Sequence, residues 1–277
     1  MATSPRTCIL AADMHGNMTQ YKKLFAYAAK ENINTIIIAG DIAPKSGPGD
    51  MFIQTQRIFY QQELQELFKN FTGDILFILG NDDAKSNLPH IERLCEATHA
   101  QYIHNKRIAL EHFDVVGYSY VPITPFGIKD WEKWDTNKAT QPSMNLFGVR
   151  SVADNWQEFD MHDEDGTIQE DLKNETFTKN AKHTLYVMHG PPKDTCLDQI
   201  GDGTHVGSQA IKDFIENEQP LATFHGHIHE TVDVSGSYKE TIGETHSYSP
   251  GNHNTTETIA IILFDPETPG KAERKIL

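Results

Sequence analysis

The run Cys8-Ile9-Leu10-Ala11-Ala12-Asp13-Met14-His15-Gly16 decides how this chain is read. A short apolar stretch ends abruptly on an acid, an imidazole and a glycine. Apolar runs of this length, punctuated by glycine, read as buried strands. Three further blocks repeat the arrangement. Ile36-Ile37-Ile38 leads into Gly40-Asp41, Ile75-Leu76-Phe77-Ile78-Leu79 into Gly80-Asn81, and Leu185-Tyr186-Val187-Met188 into His189. A weaker lead-in, Leu221-Ala222-Thr223-Phe224, precedes His225-Gly226-His227-Ile228-His229. Open α/β sheets place their chemistry just beyond the carboxyl ends of such strands. The side chains that converge there are Asp13, His15, Asp41, Asn81, His189, His227 and His229. Carboxylates, one amide and imidazoles at one point make a site for two divalent cations. A mixed nitrogen and oxygen shell suits manganese, iron, zinc, cobalt or nickel better than calcium.

Outward from these blocks, the pattern alternates strand and helix. Residues 18–30 place Tyr21, Leu24, Phe25 and Ala28 on one helical face. Residues 35–39 form a second strand, 45–50 a Gly/Pro loop, 51–70 one long helix, 74–79 a strand and 88–98 a helix. That order predicts parallel strands with right-handed crossovers. Residues 107–121 read as two adjacent strands. Ser208 is a good N-cap for a helix burying Ala210, Ile211, Phe214 and Ile215. Residues 231–234, 238–242 and 258–265 read as strands of a second sheet, and 271–277 as a surface tail. Ligands drawn from nearly the whole length predict a single domain over 1–277. The fold expected is α/β, with stacked mixed sheets and helices on the outer faces.

The least regular part is 124–182, which holds Trp131, Trp134 and Trp156. It reads either as a surface excursion with one helix near 144–159, or as a lid beside the metal site.

The 277 residues carry a formal net charge of −15. That argues against a sequence-independent nucleic-acid binder, which needs a basic stripe to neutralise phosphates. It leaves open a small phosphate ester, because two bound cations make a pocket locally positive. No apolar run approaches the roughly 20 residues of a transmembrane helix, and no membrane association is expected. The first six residues carry no secretory pattern. Cys8, Cys95 and Cys196 are odd in number and widely spaced, which predicts free thiols in a reducing cytoplasm.

The blocks Asp13-x-His15-Gly16, Gly40-Asp41, Gly80-Asn81, His189 and Gly226-His227-x-His229 resemble, in order and type, those of the calcineurin-like metallophosphoesterases. The resemblance runs from Asp13 to Asn252. The stretch His189-Gly190-Pro191-Pro192, Gly203-Thr204-His205-Val206-Gly207-Ser208 and Gly226-His227-Ile228-His229-Glu230 is most similar to the small bacterial and archaeal Icc-related phosphoesterases. The resemblance implies a four-layer α/β/β/α sandwich of two mixed sheets. It implies one metal held by Asp13, His15, Asp41 and His229, and a second held by Asp41, Asn81, His189 and His227. Asp41, with two oxygens, can bridge. It further implies phosphoester hydrolysis by attack of a metal-bridging hydroxide. The preference expected for diesters over monoesters comes instead from Asp82 and Asp83.

Many relatives have histidine directly after the asparagine. Here Asp82 stands in its place, followed by Asp83. A carboxylate beside a phosphate repels it unless protonated or near a metal. Asp82 therefore joins Asp41 and Asn81 among the candidate catalytic residues, with its role towards the leaving group left open. His205 is a further candidate, either supporting a ligand or touching phosphate; His253 is an alternative proton donor. Two other readings stand beside hydrolysis of a small ester: a non-catalytic scaffold that keeps the fold for protein binding, and a nuclease. A complete set of ligand residues weighs against the first and the acidic balance against the second. Oligomeric state and native metal are not encoded legibly.

Overall fold

The computed structural model describes residues 7–45, 51–111, 113–137, 144–253 and 255–277. Two six-stranded sheets organise them. The first runs, edge to edge, Glu273–Ile276, Ala260–Phe264, Cys8–Ala11, Thr35–Ala39, Asp74–Ile78 and Ala100–Tyr102. Its last four strands are parallel, and the other two join antiparallel. The second runs Lys239–Ile242, Thr245–Tyr248, Ala222–Phe224, Thr184–Met188, Asp114–Tyr118 and Arg107–Ala109. Its four central strands are parallel and both edges antiparallel.

Side chains alternate across a strand, so a strand buried on both faces reads as an unbroken apolar run. Leu10, Ile37, Leu76 and Ile78 pack between the sheets against Val115, Leu185, Val187, Phe224 and Tyr248. Their neighbours Ile9, Ile36, Ile38, Ile75 and Phe77 face outward, where they meet Tyr21, Leu24 and Phe25 of the helix Met18–Glu31 together with Phe59 and Phe68. On the far side, Val116, Tyr118, Tyr186 and Met188 pack against Ile168, Phe177 and the helix Gln209–Glu218. The result is the four-layer α/β/β/α sandwich of two mixed sheets. No helix among the described residues is long and apolar enough to cross a membrane.

Several local expectations are corrected. Residues 51–70 do not form one regular helix: Phe52–Ile58 and Gln65–Lys69 are α-helical, but Phe59–Leu64 between them is π-helical. The wide turn buries Phe59, Tyr60 and Leu64 together. Residues 231–234 are not a strand but begin the short helix Thr231–Ser235, closed by Gly236 at φ +75°. The strand expected over 258–265 lies in the first sheet, beside Cys8–Ala11. The tail supplies that sheet's edge strand, Glu273–Ile276, whose charged side chains suit an edge. The helix expected near 144–159 is instead the hairpin of Phe147–Val152 with Asn155–Asp160. Its β-branched and aromatic residues fit a strand, and Ala153 turns it at φ +53°. Part of the loop expected over 45–50 lies outside the described residues.

Candidate metal centre

Both sheets deliver their parallel strands to one end of the sandwich. Asp13, Asp41 and Asn81 follow strands of the first sheet; His189, His227 and His229 follow strands of the second. The chain turns there sharply. Asp13, His15, Asp41 and His227 hold φ values of +55°, +42°, +50° and +72°. Non-glycine residues in that left-handed region cost about 1–3 kcal/mol each and cluster at functional sites. Two glycines make room for the cluster. A Cβ on Gly80 would stand 2.3 Å from Asp41 Oδ1 and 2.6 Å from His189 Nε2. One on Gly226 would stand 2.9 Å from both carboxylate oxygens of Asp13.

Two groups form, joined at Asp41. In the first, ligand atoms of Asp13, His15, Asp41 and His229 all lie within 4.8 Å of one another. His15 Nε2 is 3.1 Å from His229 Nε2 and 3.5 Å from Asp41 Oδ2. In the second, Asn81 Oδ1 is 3.1 Å from His189 Nε2 and 2.7 Å from His227 Nδ1. His189 Nε2 is also 3.4 Å from Asp41 Oδ2. Surrounding backbone fixes these side chains. His189 Nδ1 lies 2.7 Å from the Ala39 carbonyl, to which it donates, and this presents Nε2 to the cluster. Asp41 Oδ1 accepts from the Asp82 amide at 2.9 Å, so Oδ2 is the oxygen turned to the histidines. Asp13 Oδ1 accepts from the His227 amide at 2.9 Å, while Asp13 Oδ2 is buried without a hydrogen-bond partner.

Burial sets the protonation of the imidazoles. It pushes His15 and His227 down to about 3, keeping both neutral, the form that ligates. Burial pulls His189 the same way, but the Asp41 carboxylate outweighs it and holds His189 up at about 9. Burial likewise opposes the charge on Asp41, but His189 and then His15 overcome it and depress the carboxyl far below the usual range.

This donor set fits divalent ions. An orphaned buried carboxylate oxygen is costly unless a cation satisfies it. The 3.1 Å between His15 Nε2 and His229 Nε2 is short enough for one ion to reach both nitrogens at an ordinary metal–nitrogen distance of about 2.1 Å. Asp13, His15, Asp41 and His229 could hold one ion; Asp41, Asn81, His189 and His227 could hold a second. The sequence profile of the calcineurin-like phosphoesterases matches residues 7–231. The chain belongs to the calcineurin-like phosphoesterase family. Among solved structures, TT1561 of Thermus thermophilus aligns with a TM-score of 0.60 at 13% identity, covering 98% of this chain and 99% of that one. A dimetal phosphatase from Danio rerio aligns with a TM-score of 0.53 at 11% identity, covering 99% of each. At such identities the likeness is one of fold. No curated protein sequence matches the chain.

In this calcineurin-like chain a cavity of about 640 Å³ opens beside the cluster. Asp41, Asn81, Asp82, His227 and His229 line it, joined by Lys45 and Glu230. Asp82 Oδ2 lies 3.8 Å from His15 Nδ1 and 4.0 Å from Lys45 Nζ. Burial, reinforced by Asp41, pushes the Asp82 carboxyl up to about 7. Asp83 differs from its neighbour and from expectation. Both of its oxygens turn into backbone, accepting from the amides of Gly80, Ile42 and Ala43 at 2.9–3.1 Å. It clasps the loops that carry Asp41 and Asn81 and does not line the cavity, so it is not positioned to repel a phosphate there.

His205 is not among the cavity's lining residues. Its Nδ1 lies 2.7 Å from Asp198 Oδ1, in a loop whose turn Asp198 also holds by accepting from the amides of Asp194, Thr195 and Gly207. His253 pairs with Asp233 at 2.9 Å and is likewise outside the lining. His225 is buried between the Met188 and Gly190 carbonyls and Thr223, a cross-tie behind the cluster. Sequence reasoning missed Lys45, Phe52 and Glu230 at the cavity. It also missed Asn252, whose amide reaches the Ala12 carbonyl at 3.1 Å and steadies the first turn. No local pattern marks Lys45 or Phe52; Glu230 directly follows His229 in a block that carries the resemblance, and Asn252 stands in a Gly-Asn-His-Asn run that invites a turn.

Proposed function

We propose that this protein is a dinuclear metal-dependent phosphoesterase that hydrolyses a small phosphate ester, with phosphodiesters favoured over phosphomonoesters. The observation that carries the reading is the pair of ligand groups joined through Asp41 Oδ2, 3.5 Å from His15 Nε2 and 3.4 Å from His189 Nε2. Two bound divalent ions supply Lewis acidity, lowering the pKa of a water and offsetting phosphate charge. The chain's own residues do the rest. The Ala39 carbonyl fixes the His189 tautomer, and the Asp82 amide fixes the rotation of Asp41. The Lys45 ammonium, at the cavity wall, attracts a phosphate oxygen. Asp82 stands on the same wall and, when ionised, disfavours a monoester dianion more than a diester monoanion. Among the described lining residues both imidazoles, His227 and His229, are candidate ligands. That leaves neither to protonate a leaving alkoxide, and cations bound beside Asp82 would favour its ionised, proton-free form, so esters of acidic alcohols are the better substrates.

The test is metal-stripped protein, reloaded separately with manganese, iron, zinc, cobalt or nickel and assayed on nitrophenyl mono- and diesters. The reading expects no turnover without metal, recovery with at least one, and a higher kcat/KM for the diester. Turnover that persists after complete stripping, or none with any metal, would sink it.

A further inference from the structure

Beyond the candidate ligands and charged groups, the cavity lining is Phe52, Phe126, Ile128, Val149 and Trp156, with Gly127. The rings of Phe52 and Trp156 lie 5.5 Å apart, tilted by 59°. Phe126 is left 58% exposed. This wall comes mostly from the excursion, and the excursion is tied down. Ile128 bridges to Val149, the Ser86 amide donates to Ser151 Oγ at 2.9 Å, and the Lys85 amide donates to Asp130 Oδ2 at 2.7 Å. Arg57, five residues beyond Phe52, pairs with Asp154 in the hairpin turn. Lys85 and Ser86 follow closely on Asn81, so the wall is anchored to the loop that carries a candidate ligand.

Large aromatic side chains held beside a charged centre and left in contact with solvent mark a place for an organic group. Two rings at a tilt offer a face and an edge to a third, which gains beyond simple area burial. A flexible chain would gain only the area. The acidic Glu230 and the net charge of −15 disfavour a polyanionic strand.

Resting on the phosphoester reading above, we infer that the Phe52–Trp156 wall makes this enzyme select phosphate esters that carry a planar aromatic group. Phosphorus sits at the candidate metal centre and the ring against the wall. Phe52 and Trp156 are then specificity-determining residues that take no part in bond cleavage.

The test measures binding to the manganese-loaded full chain by calorimetry, using methyl-, butyl- and phenylphosphonate, none of which can be hydrolysed. Phenylphosphonate is expected to bind about tenfold or more tighter than methylphosphonate, and tighter than butylphosphonate. Trp156→Ala, and separately Phe52→Leu, should remove most of the phenyl advantage while leaving methylphosphonate affinity unchanged, which also reports an intact fold. Equal affinity for phenyl- and butylphosphonate would overturn the aromatic selection, as would a phenyl advantage that survives both variants. Failure of all three phosphonates to bind would overturn this inference, while the phosphoester reading falls only if the nitrophenyl diester also fails to turn over with every metal tried.

Discussion

The Nε2 atoms of His15 and His229 stand 3.1 Å apart, although 214 residues separate them in sequence. Burial holds His15 neutral, so without an ion the two nitrogens can share only a tautomeric N–H, and a cation between them would take both lone pairs instead. His229→Ala should therefore lower metal content by about one ion per chain and reduce turnover about 10²-fold or more, in the range seen when catalytic groups are lost. Elemental analysis of purified variant and parent decides it; unchanged stoichiometry would exclude the pairing.

Asp41 lies between both histidine groups, so its loss should be felt on both sides. Asp41→Asn keeps the shape but removes the charge. Both ions should loosen and turnover should fall to background. Retention of two ions at unchanged affinity would place the bridge elsewhere.

Gly80 is a steric rather than a chemical element of the cluster. A Cβ there would meet Asp41 Oδ1 at 2.3 Å. Gly80→Ala should cost about 1–3 kcal/mol of stability by overpacking and weaken metal binding as Asp41 is displaced. Gly201→Ala is the control, because nothing lies within 4 Å of its added carbon. Thermal melts and metal titrations of the two variants should separate; similar behaviour would refute the argument.

Protonation should be coupled to metal loading. His189 is raised to about 9 by Asp41 against the pull of burial, so it carries a proton at pH 7 when no ion is bound. In the ion-free fold that raised value stabilises fully below the ordinary histidine pKa, and the contribution disappears as pH rises through about 9. An ion needs the neutral ring, so binding below pH 9 must expel a proton and tighten with rising pH. Calorimetry at pH 7 in two buffers of different ionisation enthalpy should report about one proton released from this group. Identical heats in both buffers would contradict it.

Asp82 stands where a histidine would assist the leaving group. General acid assistance is worth about 10²–10⁴-fold, so its absence should appear as a steep dependence of single-turnover rate on leaving-group pKa. A series of aryl phosphodiesters measures the slope in the parent and in Asp82→His. The variant should flatten it. A parent series already flat, or no change in the variant, would show that another group supplies the proton.

Much of this molecule is written locally. The apolar runs ending in Gly40-Asp41 and Gly80-Asn81 are strands that end at the cluster, and the periodic face of Tyr21, Leu24 and Phe25 is buried on a helix as expected. Side-chain period and glycine punctuation act over a few residues, so they survive without knowledge of the fold. The hairpin around Ala153 is not legible in this way, because its β-branched and aromatic residues are scattered among polar ones with no clean period of either kind.

What the sequence alone determined was the order of strand ends, the side chains set upon them, and through these the family and its layered fold. Only the tertiary structure decided that Ala260–Phe264 joins the first sheet, that Asp83 turns into backbone amides while Asp82 faces the cavity, and that Phe52 meets Trp156. The reason is physical. Turn chemistry and periodicity are properties of neighbours along the chain, whereas sheet membership and the meeting of distant loops depend on how two buried faces pack, and many pairings satisfy the same local pattern.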